Sequence, residues 1–495
     1  MSEIIKIRIA IFPLPGIELE GEYKIADHIN LSGKGVRETG FVPITDLYTD
    51  KKNPEAITIV CLKPLTKPTE EEAELLKKNG IKAYSYELIE PALYAAANKQ
   101  TVEAVGFVPK LPKNFSLSGI SSGIKETGRK DLGIIHSETP CIWAGVFTKN
   151  LVKAACVTSS QNKLGTKIQN IFVNSGNANA CTGEEGDKDD QKIAELVSSK
   201  LGGDTLTAST GKIGVSLDMT VIEKGIDHCE QSATIQDFAE AILTTDLRIK
   251  VSQDSKQNIL GFTKGSGMIH PNMATMLGFL ISDVKIKGLD EKASGEFFQT
   301  SLQEITDRSF NSISVDGDTS TNDMVLYVSN LQGKEISQEE FKASLEEVSK
   351  DLSKQIINDG EGTTKIIECT VTGSSSEAEL RKIAKGIIGS SLVKTAIFGN
   401  DPNWGRIIAA AGQAAAENDI KLNPETCSLT LLKQEVYKNG SPVNQEKRDE
   451  FSALMAKNKL IKLKLSLGTN KSNTVTAWGS DLSYKYVEIN AEYFS

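Results

Sequence analysis

The sequence lacks the marks of three large classes of protein. Its seven cysteines are scattered and form no Cys-x-x-Cys pair, which argues against a disulfide framework and against a structural zinc site. No apolar run approaches the roughly 18 to 20 residues that span a bilayer, and the first residues have no signal-peptide pattern. The net charge of -9 disfavours nucleic acid or an anionic membrane as the main partner. We therefore expect a cytoplasmic protein with reduced thiols.

The motifs that hold common cofactors are also missing. The run 174–183 is rich in small and amide residues, but it contains neither GxxxxGK[ST] nor a strand-linked GxGxxG, so we interpret it as a structural loop near the site. The acidic run 312–323 resembles a cation loop at first sight, but it lacks the bidentate glutamate that ends an EF-hand loop. The sequence therefore predicts no metal and no cofactor.

The chain is long enough for several domains and a large core. Its 39% hydrophobic and 24% charged residues are ordinary for a soluble globular protein. Residues 1–105 predict a small α/β domain of unknown role, with strands at 57–62 and 81–86 and a helix that begins after Thr69. Pro109 and Pro112 lie close together and favour an extended linker, which we place at 106–117.

Hydrophobic spacing predicts both strands and helices in the rest of the chain. Ser376 and Glu379 have the spacing of a capping box, and Gly389 is a suitable stop for the helix that they open. The sequence Pro-Asn-Trp-Gly-Arg at 402–406 indicates a turn followed by the start of a helix. The other predicted helices are 189–201, 235–242, 289–306 and 341–357, and the predicted strands are 167–173, 258–262 and 276–281.

The glycine-rich run 264–278 carries the clearest chemical signal. Gly265 and Gly267 allow positive φ and close approach of the backbone. If the bond between Ala274 and Thr275 were cut, Thr275 would gain an α-amino group with a pKa of about 7.7 to 8.0. That amine can act as the base for the threonine hydroxyl. On spacing alone, a loop that feeds a buried strand remains the simpler interpretation.

The run 264–278 resembles the cleavage and nucleophile motif of the ornithine acetyltransferase (glutamate N-acetyltransferase) family, in which the chain cuts itself before a threonine. The resemblance continues from about Gly119 to Ser495. It implies an α/β fold of the layered αββα type, like that of self-cleaving N-terminal-nucleophile enzymes, after the small N-terminal domain. It also implies an α fragment, 118–274, and a β fragment, 275–495, that pair into an α₂β₂ assembly.

The resemblance further implies roles for individual residues. Thr210 and Gly211 would stabilise the oxyanion, the threonine by its hydroxyl and the glycine by its backbone N–H, because a tetrahedral intermediate needs donors where charge develops. Lys264 would meet a substrate carboxylate with its compact charge. Glu361 would hold the α-ammonium of an amino-acid substrate. The implied substrate contacts are Thr245, with Thr244 as its alternative, Lys264, Thr275, Glu361, Asn490 and Ser495.

Three residues depart from the family pattern. Lys212 stands where a small apolar residue is common, and Asp218 and Cys156 stand where proline is common. We expect the surroundings of the oxyanion pair to differ accordingly. Cys156 is interpreted as a packing change and not as a reactive thiol.

The implied reaction is a ping-pong acetyl transfer in arginine biosynthesis. Thr275 would take the acetyl group from N-acetylornithine and pass it to glutamate, so no carrier cofactor is needed. Acetyl-CoA would be an additional donor if the enzyme is bifunctional. One alternative is a self-cleaving amidohydrolase or aminopeptidase of related architecture, which uses water as acceptor. The other is a non-catalytic binding protein, which predicts an uncut chain.

Overall fold

The computed structural model describes the strands 5–13, 22–24, 84–86 and 102–107 and the residues 109–270, 276–468 and 472–492. The chain divides into two compact units. The first comprises Met1–Lys110 and Leu247–Ile249, and the second comprises Leu111–Asp246 and Lys250–Ser495. No helix in the described ranges is long and apolar enough to cross a membrane.

The first unit contains a four-stranded mixed sheet. β1 (Ile5–Pro13), β2 (Glu22–Lys24), β3 (Tyr84–Tyr86) and β4 (Val102–Phe107) are arranged in the order β2-β4-β1-β3. Only β1 and β4 pair in parallel among these four strands. The predicted strand 81–86 overlaps β3. The predicted strand 57–62 and the helix after Thr69 lie outside the described residues.

The second unit contains two larger sheets and the helices that pack on them. Its strands are β5 (Phe115–Ile120), β6 (Leu132–Phe147), β7 (Ile168–Asn177), β8 (Thr205–Lys212), β9 (Lys250–Gln253), β10 (Ile259–Lys264), β11 (Leu277–Ser282), β12 (Lys285–Ile286), β13 (Ile313–Ser314), β14 (Met324–Ser329), β15 (Glu335–Ile336), β16 (Ile366–Gly373), β17 (Ser428–Leu431), β18 (Gln434–Lys438), β19 (Ser441–Pro442), β20 (Leu460–Ser466) and β21 (Asn473–Ser480). Its α-helices are α1 (Ala155–Asn162), α2 (Gly183–Leu201), α3 (Met219–His228), α4 (Ile235–Ala241), α5 (Glu291–Arg308), α6 (Gln338–Asn358), α7 (Glu377–Gly389), α8 (Ser391–Phe398), α9 (Trp404–Glu417), α10 (Arg448–Ala456) and α11 (Tyr484–Glu492).

Local capping explains where several helices begin. The capping box of Ser376 and Glu379 is present at the start of α7, as predicted. Asn403 caps α9 by accepting the Arg406 N–H, which confirms the predicted turn and helix start. α2 begins at Gly183, earlier than the predicted residue 189, and it has acidic residues in its first turn. Acidic residues stabilise a helix N-terminus, a signal that apolar spacing does not contain.

The eight-stranded sheet creates the edge at which the run 264–278 lies. Its order is β8-β7-β6-β14-β11-β10-β9, and β5 pairs with β6. Lys264 at the end of β10 lies opposite Leu277 at the start of β11. Leu277 in turn lies opposite Met324 at the start of β14. One end of β10 and the first residues of β11 and β14 therefore meet at a single edge.

The seven-stranded sheet has the order β13-β21-β16-β20-β17-β18-β19. It shares a hydrophobic core with the eight-stranded sheet. Helices α5 and α6 contribute to a cluster that also contains Ile366 of β16 and Leu280 of β11. Within this cluster, the Tyr327 ring centroid lies 4.8 Å from that of Phe298 and 5.1 Å from that of Phe341. A second cluster joins the other face of β16 to α7 and α9. The mixed α/β class is confirmed, while the αββα order of layers stays a prediction.

Candidate active site

The predicted nucleophile run leads into the sheet edge formed by β10, β11 and β14. Ala274 and Thr275 lie outside the described residues. Met276, the next residue, is 2% exposed, and its carbonyl accepts the Met324 N–H at 3.2 Å. The chain therefore enters β11 as buried, paired backbone immediately after Thr275. A nucleophile just before such a strand is attached to a rigid part of the fold.

The predicted oxyanion pair, Thr210 and Gly211, lies in the last three residues of β8. Gly211 has a φ of 136°, and a Cβ atom there would lie 2.2 Å from the backbone carbonyl carbon of Gly176. Since this neighbour is backbone and cannot rotate away, the position requires glycine. Lys264 Nζ donates to Thr210 Oγ1 at 3.2 Å. The structure thus brings the end of β8 and the end of β10 together.

Lys264 is 8% exposed and lies among charged groups. Burial lowers the pKa of its ammonium group, and the nearby Lys250 charge acts in the same direction. The carboxyl groups of Asp246, Asp323 and Glu361 act in the opposite direction. A compact cation in this position is suited to binding a substrate carboxylate.

Glu361 packs directly on the glycine-rich run. Its backbone N–H donates to the Ser266 carbonyl at 3.0 Å. A Cβ atom on Gly267 would lie 2.4 Å from the Glu361 carboxyl carbon, so glycine is needed for this approach. Asn490 Nδ2 donates to Glu361 Oε2 at 2.8 Å. Two predicted substrate residues that are far apart in sequence are therefore hydrogen-bonded to each other.

The acidic run 312–323 anchors the same loop from the other side. Asp316 accepts the Met268 N–H at 2.6 Å and the Ile269 N–H at 2.8 Å. The Ile269 carbonyl accepts the Val315 N–H at 2.6 Å. Across the described ranges, no three His, Cys, Asp or Glu side chains form a group that could hold a metal ion. The carboxylate of Asp316 is engaged in shaping the loop.

Thr245 and Ser495 are the two remaining predicted substrate residues. Thr245 is partly buried and precedes Asp246, whose Oδ2 accepts the Thr244 N–H at 3.0 Å. The Thr244 hydroxyl also lies 3.4 Å from that oxygen, which favours Thr245 over Thr244 for a substrate contact. Ser495 lies outside the described residues, so its contact stays a prediction.

Sequence reasoning missed Asp323, because it assigned no site residue within the run 312–323. Asp323 is 2% exposed, and its Oδ2 has no hydrogen-bond partner among the described residues. The pairing of β11 with β14 places it level with Met276, one residue after Thr275. Burial raises the pKa of its carboxyl group well above the ordinary value, although Lys264 opposes the shift. The candidate site therefore contains a buried carboxyl group whose pKa is raised by its surroundings.

A buried charge cluster of Asp246, Lys250 and Asp359 was also missed. Lys250 Nζ donates to Asp246 Oδ1 at 2.7 Å and to Asp359 Oδ2 at 2.6 Å. All three side chains are at most 3% exposed. Burial alone would raise the pKa of Asp246, but the charges of Lys250 and Lys264 hold it below its ordinary value. The spacing of Asp246 and Lys250 resembles an ordinary surface ion pair in sequence, and nothing in it indicates the third member.

The departures from the family pattern have local explanations. Asp218 accepts the N–H groups of Thr220 and Val221 and caps α3, so a helix still begins where proline is common. Cys156 is fully buried, and burial raises the pKa of its thiol to about 12, which favours a packing role. Lys212 is exposed and leaves the backbone of Gly211 in place.

Comparisons with a family model and with curated proteins point to the same family. The sequence model of the ArgJ family matches residues 116–495. The arginine biosynthesis bifunctional protein ArgJ of Bacillus anthracis is 43% identical over 403 residues, which cover 77% of this chain and 95% of that protein. The protein of the same name from Staphylococcus epidermidis is 42% identical over 400 residues, which cover 77% and 97%.

Two solved structures are also similar. The crystal structure of ArgJ from Bacillus halodurans has 37% identity and a TM-score of 0.39, and the match covers 44% of this chain and 100% of that chain. The ornithine acetyltransferase of Mycobacterium tuberculosis in complex with ornithine has 30% identity and a TM-score of 0.29, with 33% and 93% covered. The family match and the curated relatives extend over most of the chain. The resemblance found in the sequence is confirmed: the chain belongs to the ArgJ family.

Proposed function

We propose that this ArgJ-family enzyme transfers the acetyl group of N-acetylornithine to glutamate through an ester on Thr275. The observation that carries the proposal is a set of contacts at the run 264–278, which contains Thr275. Lys264 of this run donates to Thr210, and Gly267 packs against Glu361, which accepts from Asn490. Relatives named as arginine biosynthesis bifunctional proteins support this choice of pathway.

The nucleophile arises by self-cleavage between Ala274 and Thr275. The Thr275 hydroxyl attacks the Ala274 carbonyl, the peptide C–N bond breaks, and the hydroxyl proton ends on the new amine. Water then hydrolyses the resulting ester and leaves the two fragments. The freed α-amine, with a pKa of about 7.7 to 8.0, is partly neutral near pH 7 and can accept a proton from its own hydroxyl.

In the first half-reaction, Thr275 Oγ attacks the acetyl carbonyl of N-acetylornithine. The Thr275 amine takes the hydroxyl proton, and the Thr210 hydroxyl and the Gly211 N–H donate to the developing oxyanion. The amide C–N bond then breaks, and the leaving amine of ornithine receives that proton. The acetyl group remains on the protein as an ester.

In the second half-reaction, the α-amine of glutamate attacks the ester. The C–O bond to Thr275 breaks, and one proton of the attacking nitrogen returns the threonine to its hydroxyl form. Lys264 binds the substrate carboxylate. Glu361 and Asn490 bind the α-ammonium group of glutamate, which passes one proton to the free Thr275 amine before its nitrogen attacks. Thr245 and Ser495 complete the proposed contacts. No separate carrier cofactor is required, because the ester holds the acetyl group between the two steps.

Acetyl-CoA is an additional donor if the enzyme is bifunctional, as its relatives are named. The self-cleaved fragments pair into an α₂β₂ assembly. The enzyme works in the cytoplasm, in line with the six unpaired cysteines that the described residues contain.

The cleavage step is tested with Thr275→Ala and Thr275→Ser. We expect Thr275→Ala to give an uncut, inactive chain, because no hydroxyl is present to attack Ala274. Thr275→Ser keeps a hydroxyl and is expected to be cut. Gel electrophoresis and N-terminal sequencing of the smaller fragment provide the readout. Normal processing of Thr275→Ala would place the cut elsewhere and contradict the proposal.

A further inference from the structure

The cluster of Asp246, Lys250 and Asp359 connects the segments that carry the proposed substrate residues. Asp246 directly follows Thr245 in the chain. Asp246 Oδ1 also accepts the N–H of Gly265, the residue after Lys264, at 2.6 Å. Two of the three substrate segments are therefore held by the same carboxylate.

Asp359 connects the third segment. Its carbonyl accepts the Ser266 hydroxyl at 2.7 Å, and the Ser266 carbonyl accepts the Glu361 N–H at 3.0 Å. Its side chain binds Lys250, which also binds Asp246. Each of Thr245, Lys264 and Glu361 is thus within two residues of a direct contact with the cluster.

The charge of the cluster is unusual for a purely structural contact. Two carboxylates and one ammonium group carry one excess negative charge in a buried place. Burying charges is costly, and apolar residues of similar size often stabilise a fold equally well. Within the cluster, the Asp246 carboxylate favours the charged form of Lys264, whereas burial and the Lys250 charge oppose it.

We propose that the Asp246, Lys250 and Asp359 cluster is a positioning unit that fixes Thr245, Lys264 and Glu361 around one amino-acid substrate. This inference rests on the proposed acetyl transfer. The three cluster residues act through their neighbours and do not touch the reacting atoms. Misplacement of binding groups by about 1 Å can lower catalysis by about 10²-fold, so such a unit has a measurable effect.

The charged groups around Lys264 determine how it responds to pH. The titratable groups that act on it are Asp246, Lys250, Asp323 and Glu361, and Lys125 also lies close enough to interact with it. Removal of one carboxylate from the cluster makes the positive charge on Lys264 less favourable. Lys264 should then lose its proton at a lower pH, and binding of a substrate carboxylate should fail at that lower pH.

The test uses the full chain with Asp359→Asn, which keeps the shape and removes one negative charge. We expect the KM for N-acetylornithine to rise about tenfold or more, with kcat changed by less than about threefold, because binding groups are displaced. We also expect the alkaline limb of kcat/KM to move to lower pH. A purely structural loosening would scale kcat/KM by the same factor at every pH.

The double variant Lys250→Met with Asp359→Asn separates position from charge. It removes one charge of each sign, so the alkaline limb should return towards that of the wild type while KM stays high. Because the net charge at the three cluster positions is then the same as in the wild type, the double variant also keeps the test decisive if Asp359→Asn does not fold. A wild-type KM in either folded variant would overturn the inference.

Asp254→Asn is the matched control. Asp254 is a buried carboxylate at the other end of the same pair of strands, and it also contacts α6. We expect Asp254→Asn to lower the melting temperature and to leave KM and the alkaline limb unchanged. If it raised KM as Asp359→Asn does, the cluster would have no special role. A wild-type enzyme that transfers no acetyl group would instead contradict the proposed function itself.

Discussion

The strands β9 and β10 have a buried aspartate at each end, and the two aspartates are held in different ways. At the turn, Asp254 accepts the N–H groups of Asn258 and Ile259, each at 2.7 Å, and the Ser344 hydroxyl at 2.9 Å. All of these donors are neutral. At the other end, Asp246 accepts from the ammonium group of Lys250.

This difference shows which end the fold alone explains. Asp254 satisfies the backbone of a tight turn, which is a common solution for aspartate in turns. Asp246 does the same for Thr244 and Gly265, but it belongs to a group of buried charges that no turn requires. Buried charge beyond what the backbone needs therefore marks the functional end of the strand pair. The functional end can be perturbed separately from the turn end.

The largest effect is expected at β8, which contacts the functional end through Thr210 and Lys264. In Gly211→Ala, the added Cβ meets backbone at 2.2 Å and displaces the N–H that would face the oxyanion. We expect kcat to fall by about 10² to 10³.

Gly214→Ala is the control for Gly211→Ala. Gly214 also has positive φ, 77°, but nothing lies within 4 Å of an added Cβ. We expect a loss of about 1 to 2 kcal/mol in stability and little change in kcat. Steady-state kinetics and thermal unfolding compare the two variants. Equal kcat values in both would show that Gly211 has no special role.

A smaller effect is expected from Gly267→Ala, which tests the contact with Glu361. The added Cβ would lie 2.4 Å from the Glu361 carboxyl group and push it out of place. We expect KM to rise by about tenfold, because a misplaced binding group weakens substrate binding.

Gly261→Ala is the matched change in the middle of β10. Its Cβ would lie 2.6 Å from Val348 on α6, so we expect overpacking to lower the melting temperature while KM is unchanged. The KM and the melting temperature of Gly267→Ala and Gly261→Ala are measured and compared. A raised KM for Gly261→Ala would mean that the two regions of the strand pair are not separable.

The smallest effect concerns His270, which follows the functional end in the chain. Burial, with Lys385 and Lys394 nearby, lowers the pKa of His270 to about 3 in the folded protein, below the ordinary value of 6.5. The unfolded chain therefore binds more protons between these two pH values, and the free energy of unfolding falls as pH drops through this window.

His270→Gln should reduce the loss of stability between pH 6.5 and about pH 4, as measured by melting temperature at a series of pH values. His228→Gln, at an exposed position, controls for the histidine-to-glutamine change itself. The same slope in the wild type and in His270→Gln would show that other groups cause the acid sensitivity.

The sequence was informative wherever the signal was local. The capping box at Ser376 and the helix after Asn403 were predicted because each depends on residues within one helical turn. The strand that delivers Lys264 was predicted from its apolar run and is confirmed as β10. The family resemblance then added the pairing of Thr210 with Gly211, which spacing alone would have left as a turn.

The contacts that hold the site together were not predictable in this way. Lys250 and Asp359 are separated by 109 positions, and Glu361 and Asn490 by 129. No local pattern in the sequence relates such residues. Asp323 was missed for a related reason: its burial follows from the pairing of β14 with β11, and not from its own neighbours in the chain. Roles that depend on tertiary contacts became visible only when the strands were aligned.

The proposed transfer requires Thr275 to carry the acetyl group between the two substrates. The most direct measurement is mass spectrometry of the wild-type enzyme after incubation with N-acetylornithine alone, with no acceptor present. We predict a smaller fragment that begins at Thr275 and carries one acetyl group, which glutamate then removes. Detection of only an uncut chain, or of free acetate without an acetylated fragment, would contradict the proposed mechanism.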